Sequence, residues 1–127
     1  MNKKIKKIAA AVMAAATLAA GSVGMTASAQ TVNDNYSTFT WSKSGSNVSV
    51  SLTNNSGASR YATISAYGYT AAGAYVDNIG KSGTISQSST ISKSGSIVAA
   101  SYRFFGYLYS NTTGTGGTLS YWSKSIG

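Results

Sequence analysis

The stretch Asn47–Thr53, NVSVSLT, alternates without a break: Val48, Val50 and Leu52 on one side, Asn47, Ser49, Ser51 and Thr53 on the other. Successive side chains of a strand point to opposite faces, so this pattern describes a strand with one face in a core. The next residues, TNNSGAS at Thr53–Ser59, are types that tolerate left-handed backbone or bond their own main chain, and so predict a turn.

The same reading extends in both directions. Upstream, Phe39 and Trp41 alternate with Thr38, Thr40 and Ser42. Downstream, RYATISAYGYT at 60–70 puts Ala62, Ile64, Ala66 and Gly68 on one face, with Tyr61, Thr63, Ser65, Tyr67 and Tyr69 on the other. AAG at 71–73 turns the chain into AYVDNI at 74–79. GTISQSSTIS at 83–92 is a weaker strand, SIVAASYRFFGYLYS at 96–110 the most apolar segment, NTTGTGG at 111–117 a loop and TLSYWSKSI at 118–126 the last strand. No segment past residue 30 keeps a helical period. About seven short strands separated by turn residues predict an all-β, antiparallel two-sheet sandwich, immunoglobulin-like in strand count and spacing. Tyr102, near the start of the penultimate strand, is placed to act as a tyrosine corner.

Fourteen Val, Ile and Leu residues follow residue 30, with three Phe, two Trp and nine Tyr in the chain. Aromatic side chains must therefore supply much of the buried area. The expected core contains Trp41, Val48, Val50, Ile64, Phe104, Leu108 and Leu119.

The N-terminus reads as an export signal. Lys3, Lys4, Lys6 and Lys7 precede an apolar run over Ile8–Ala20, and ASA at Ala27–Ala29 is a small-x-small cleavage site. The run is too short to span a bilayer, which takes roughly 20 residues. The expected organisation is a helical secretory signal peptide over 1–29, a loose segment over 30–36 and a β-sandwich over 37–127. There is no cysteine for disulfides or lipid attachment, and no proline for a sortase signal. Together with the Lys-rich leader, this predicts a protein secreted by a Gram-positive bacterium. The membrane enters only through that leader, or as the target of an antimicrobial protein.

The 127 residues carry ten basic and two acidic side chains, for a net +8. Without the four leader lysines, six basic residues face Asp34 and Asp77, and the net charge falls to +4. That balance favours anionic cell-surface polymers, and export makes nucleic acid an unsuitable partner. Catalysis is poorly supplied. The chain has no His or Cys, and past the leader no Glu. Two aspartates 43 positions apart make a poor acid–base pair, and no cluster suits a metal or other cofactor. TGTGGT at 113–118 lacks the Lys-Ser/Thr and helix of a phosphate loop. Spellings such as NVS and NTT match glycosylation acceptors, as chance allows in an Asn/Ser/Thr-rich chain.

Two features remain as candidate sites. Tyr61, Tyr67 and Tyr69 share one strand face, and Phe105, Tyr107 and Tyr109 share another. Paired, these strands would form one aromatic surface, fit for a glycan or protein partner or for sheet stabilisation alone. Separately, every lysine past residue 30 sits in a Φ-x-Lys-Ser-x segment: WSKSG at 41–45, IGKSG at 79–83, ISKSG at 91–95 and WSKSI at 122–126. The unequal gaps exclude a repeat. Each lysine is expected at a strand end, where it discourages edge pairing, and simple up–down alternation collects Lys43, Lys93 and Lys124 at one cationic pole. The function expected is that of a small secreted, non-enzymatic binding protein contacting cell-surface glycan, cell wall or another protein. The alternative is a cationic, bacteriocin-like antimicrobial protein.

Overall fold

The computed structural model describes residues 29–127. Of the expected leader, only Ala29 falls within them. Eight strands form two antiparallel four-stranded sheets: β1 (Gln30–Asn33), β2 (Ser37–Ser44), β3 (Asn47–Asn54), β4 (Arg60–Tyr69), β5 (Tyr75–Ile85), β6 (Thr90–Ser96), β7 (Ser101–Tyr109) and β8 (Thr118–Ile126). The orders are β1-β2-β3-β6 and β5-β4-β7-β8.

Alternation becomes layering as expected. Val48, Val50 and Leu52 of β3 are buried against Ala62, Ile64 and Ala66 of β4 and Phe104 and Leu108 of β7. Phe39 anchors the layer. Its ring stacks on Trp41 at 5.6 Å and on Trp122 of the other sheet at 6.4 Å, nearly parallel at 5°. Gly106 makes this fit possible, because a Cβ there would lie 2.7 Å from the Phe39 ring. Six of the seven expected core residues are buried. Leu119 is only partly buried, because Ser120 takes the inward register opposite Leu108.

Three strand boundaries differ from the sequence reading. Residues 30–33, expected to be loose, form β1 and pair with β2. The Asp34 carboxylate then accepts hydrogen bonds from the Tyr36 and Ser37 amides at 2.8 and 2.9 Å and from the Ser120 hydroxyl at 2.8 Å, tying the first hairpin to β8. Second, 75–85 is one strand, not two pieces split at GKSG. Pairing with β4 along its whole length overrides the local turn signal. Gly80 suits this path, since a Cβ would sit 3.1 Å from the Ile64 carbonyl oxygen. The reversal falls instead at Ser86–Ser89, where the Ser89 amide donates to the Ser86 carbonyl. Third, the apolar segment 96–110 breaks over 97–100 before β7 begins.

That break holds the corner expected of Tyr102. Its hydroxyl donates to the Ile97 carbonyl at 2.8 Å, and the Ala99 amide donates to it at 3.2 Å. Asn54 does similar work at the opposite end. Fully buried, its amide donates to the Ala58, Ile85 and Ser86 carbonyls, and its Oδ1 accepts from Ser56. Tyr102→Phe should strand the buried Ile97 carbonyl and destabilise the fold by about 1–3 kcal/mol in denaturant unfolding. An unchanged midpoint would mean that the corner bond contributes nothing net.

Candidate functional site

The sheet β5-β4-β7-β8 turns one face to the core and presents aromatic rings on the other. On β4, Ala62, Ile64 and Ala66 are buried, whereas Tyr61, Tyr67 and Tyr69 are half-buried. On β7, Phe104 and Leu108 are buried, and Phe105, Tyr107 and Tyr109 are half-buried. The strands are neighbours, with Thr63 opposite Tyr107, Ser65 opposite Phe105 and Tyr67 opposite Arg103. All six expected aromatic residues therefore share one face. Adjacent strands extend it: Tyr75 of β5 lies 6.2 Å from Tyr67, and Tyr121 of β8 lies 4.8 Å from Tyr107, centroid to centroid. These are the most exposed rings of the face, at 57% and 53%.

Ring contacts join seven of the eight rings in two groups, Tyr75, Tyr67 and Phe105 in one and Tyr61, Tyr109, Tyr107 and Tyr121 in the other, with Tyr69 outside both. Tyr67 meets Phe105 edge-on at 5.7 Å, Tyr107 stacks on Tyr109 at 5.9 Å, and Tyr61 leans on Tyr109 at 5.9 Å. Cross-strand aromatic contacts of this kind stabilise a sheet by roughly 0.2–1 kcal/mol each. The Tyr75 hydroxyl donates to Asn78 Oδ1 at 2.6 Å. Sequence alternation found the six rings of β4 and β7. It missed Tyr75 and Tyr121, which join the face only through strand order, and it did not single out Arg103, which shares the alternating face of β7.

Burial pushes the Tyr107 phenol above its ordinary value near 10.0, and the neighbouring phenols Tyr121, Tyr109 and Tyr67 add to the shift. The phenolate is disfavoured in the fold. The stability linked to this group is therefore complete below about pH 10 and is lost as pH rises through the folded-state value. Alkaline absorbance titration should show a late-ionising phenol that Tyr107→Phe removes. An unchanged titration in that variant would assign the late step elsewhere.

The Φ-x-Lys segments have a common structural meaning. β5, β6 and β8 are sheet edges, and β1 covers β2 only over Thr38–Trp41, so Ser42–Ser44 also form an open edge. In all four strands the lysine lies in register with a buried residue of its neighbour: Lys43 with Val48, Lys81 with Ile64, Lys93 with Val50 and Lys124 with Phe104. The apolar residue two positions earlier shares that inward register. Each segment thus places a charge on the core side of an edge strand, where the seam between the sheets opens to solvent.

Lys43 and Lys124 both line the β2/β8 seam. Their Nζ atoms lie 5.3 Å from the Tyr102 ring and 5.7 Å from the Trp41 ring. Lys81 and Lys93 are exposed on β5 and β6, at the other seam. Strand direction groups Lys43, Lys93 and Lys124, and lateral strand position puts Lys93 at the seam opposite the other two. Not all four sit at strand ends; Lys81 and Lys93 are mid-strand.

Inward charges on edge strands block pairing with a second sheet, which would have to bury them. Replacing both Lys81 and Lys93 by Thr should yield larger species in light scattering at concentrations where the parent shows none. An unchanged size distribution would remove this role.

No family model matches the chain, and no curated protein matches it. Similar solved structures include a Bacteroides uniformis β-glucuronidase covalently bound to cyclophellitol-6-carboxylate aziridine, at 11% identity and a TM-score of 0.45, covering 81% of this chain and 13% of that one. Another is a β-glucuronidase from glycoside hydrolase family 2, at 11% identity and 0.42, covering 84% and 11%. The chain thus spans only a small part of either enzyme's length.

Proposed function

We propose that this is a secreted, non-enzymatic binding module of immunoglobulin-like architecture that contacts a cell-surface glycan, wall polymer or protein through the aromatic face of β5-β4-β7-β8. The carrying observation is the assembly of eight rings from four strands on one sheet face, with Tyr75 and Tyr121 at its two edges more than half exposed. A sheet needing aromatic pairs only for stability has no use for its most exposed rings at two opposite edges. Tyrosine also combines an apolar body with a polar tip, the composition favoured at recognition surfaces.

The architecture rests on the pairing order and on the Tyr102 corner at the start of β7. Secretion rests on the leader's Lys-rich start, apolar run and ASA site. The non-catalytic reading rests on residue inventory. Of the two aspartates, Asp34 is engaged by backbone amides and Ser120, and Asp77 lies on an edge strand. No group of three or more His, Cys, Asp or Glu residues is placed to hold a metal among the described residues.

The test is retention of the purified protein on isolated Gram-positive cell walls. The parent should be retained, and a Tyr67→Ala/Tyr121→Ala variant should bind about tenfold or more weakly, the loss expected when central aromatic contacts are truncated. Undiminished retention of a folded variant would overturn the aromatic-face reading. Growth inhibition without wall retention would replace it with the antimicrobial alternative.

A further inference from the structure

We infer that the ligand of this face is a linear polysaccharide carrying anionic groups, carboxylate or phosphate, with Arg103 as the charge-reading residue. The inference rests on the binding reading above and adds the ligand's shape and charge.

Shape comes from the path of the rings. Tyr75 contacts Tyr67, Tyr67 contacts Phe105, and Tyr107 contacts Tyr121. Phe105 and Tyr107 lie two residues apart on one strand face. The path crosses the sheet diagonally, from the β5 edge to the β8 edge, over on the order of 20–25 Å. Small residues flank it on both sides. Thr63, Ser65 and Ser82 lie toward β5, with the Thr63 and Ser82 hydroxyls 3.1 Å apart, and Ser123 and Ser125 lie on β8. A narrow ridge with hydroxyl-lined margins suits an extended polymer whose apolar ring faces lie on tyrosines and whose hydroxyls reach Ser, Thr and phenol oxygens.

Charge comes from Arg103. It is exposed on this face, opposite Tyr67 and Ser125 and two residues from Phe105. Among the described residues neither aspartate side chain shares the face. Asp77 lies opposite Gly68, in the inward register, and Asp34 is bound at the N-terminal hairpin. A guanidinium fork matches the geometry of carboxylate and phosphate oxygens. Net charge points the same way, with six basic against two acidic residues past residue 29.

Calorimetric titration with polygalacturonate, a phosphate-bearing mannan and an unsubstituted glucan of similar length separates the possibilities. Both anionic polymers, or one of them, should bind about tenfold or more tightly than the neutral one. Arg103→Gln should abolish that preference, and Arg103→Lys should restore part of it. Tyr67→Ala should weaken binding to every polymer that the parent binds. Equal binding of neutral and anionic chains, still lost in Tyr67→Ala, would overturn the anionic inference and leave the aromatic-face reading standing. An anionic preference that survives Arg103→Gln but falls in Lys43→Gln/Lys124→Gln would likewise overturn it, by moving the charge contact to a seam. Binding to none of the polymers, with walls still retained through the tyrosines, would overturn the polysaccharide assignment alone. Wall retention indifferent to the tyrosines would remove both readings.

Discussion

The contact on which the sandwich depends is Phe39 pressed between sheets. Its ring sits over Gly106, stacks on Trp41 beside it, and lies nearly parallel to Trp122 across the seam. A chain with few aliphatic residues has little else with which to bridge sheets spaced about 10 Å apart, and large rings bury the most area per residue. The polar bonds nearby follow from this contact. With Trp122 held against Phe39, its indole N–H reaches the Ser37 hydroxyl at 2.9 Å, and Ser120 two residues earlier reaches Asp34. One aromatic stack thus fixes β8 and recruits β1 and β2 around it.

A small sandwich without disulfides also has to keep its edges from pairing elsewhere. The solution lies in a spacing of two residues. An apolar side chain enters the core, and the next inward position carries a lysine that leaves through the seam. The same local arrangement serves four strands with different neighbours. Its occurrence as Trp-Ser-Lys in β2 and β8 and Ile-x-Lys in β5 and β6 reflects the seam each strand lines, where Trp41 and Trp122 fill the space around Phe39 and Ile79 packs near Gly95.

Core and surface are coupled through β4 and β7. In each, one set of alternate residues is buried and the other carries rings, so any slip of one residue would exchange core for surface. Asn54 and Tyr102 guard against such slips from opposite ends, each bonding main-chain groups that precede or follow a strand. The aromatic face inherits its order from those locks, which lets rings drawn from four strands hold fixed relative positions.

By itself the sequence determined which side of each strand is apolar, because alternation is a local consequence of backbone sterics. That was enough for the two-sheet class, most of the core, the six rings of β4 and β7 and the shortage of catalytic groups. It misplaced the turn near GKSG, since a local Gly-Ser signal yields to the ladder formed with β4. It treated residues 30–36 as loose, since Asp34 finds Ser120 only across 86 positions of chain. Tertiary structure alone decided which strands are edges, and hence that the lysines line two seams. It also decided that Tyr75 and Tyr121 complete the aromatic face. The reason is physical: side-chain alternation belongs to one strand, whereas neighbours and register depend on pairings distant in sequence that no single strand's pattern contains.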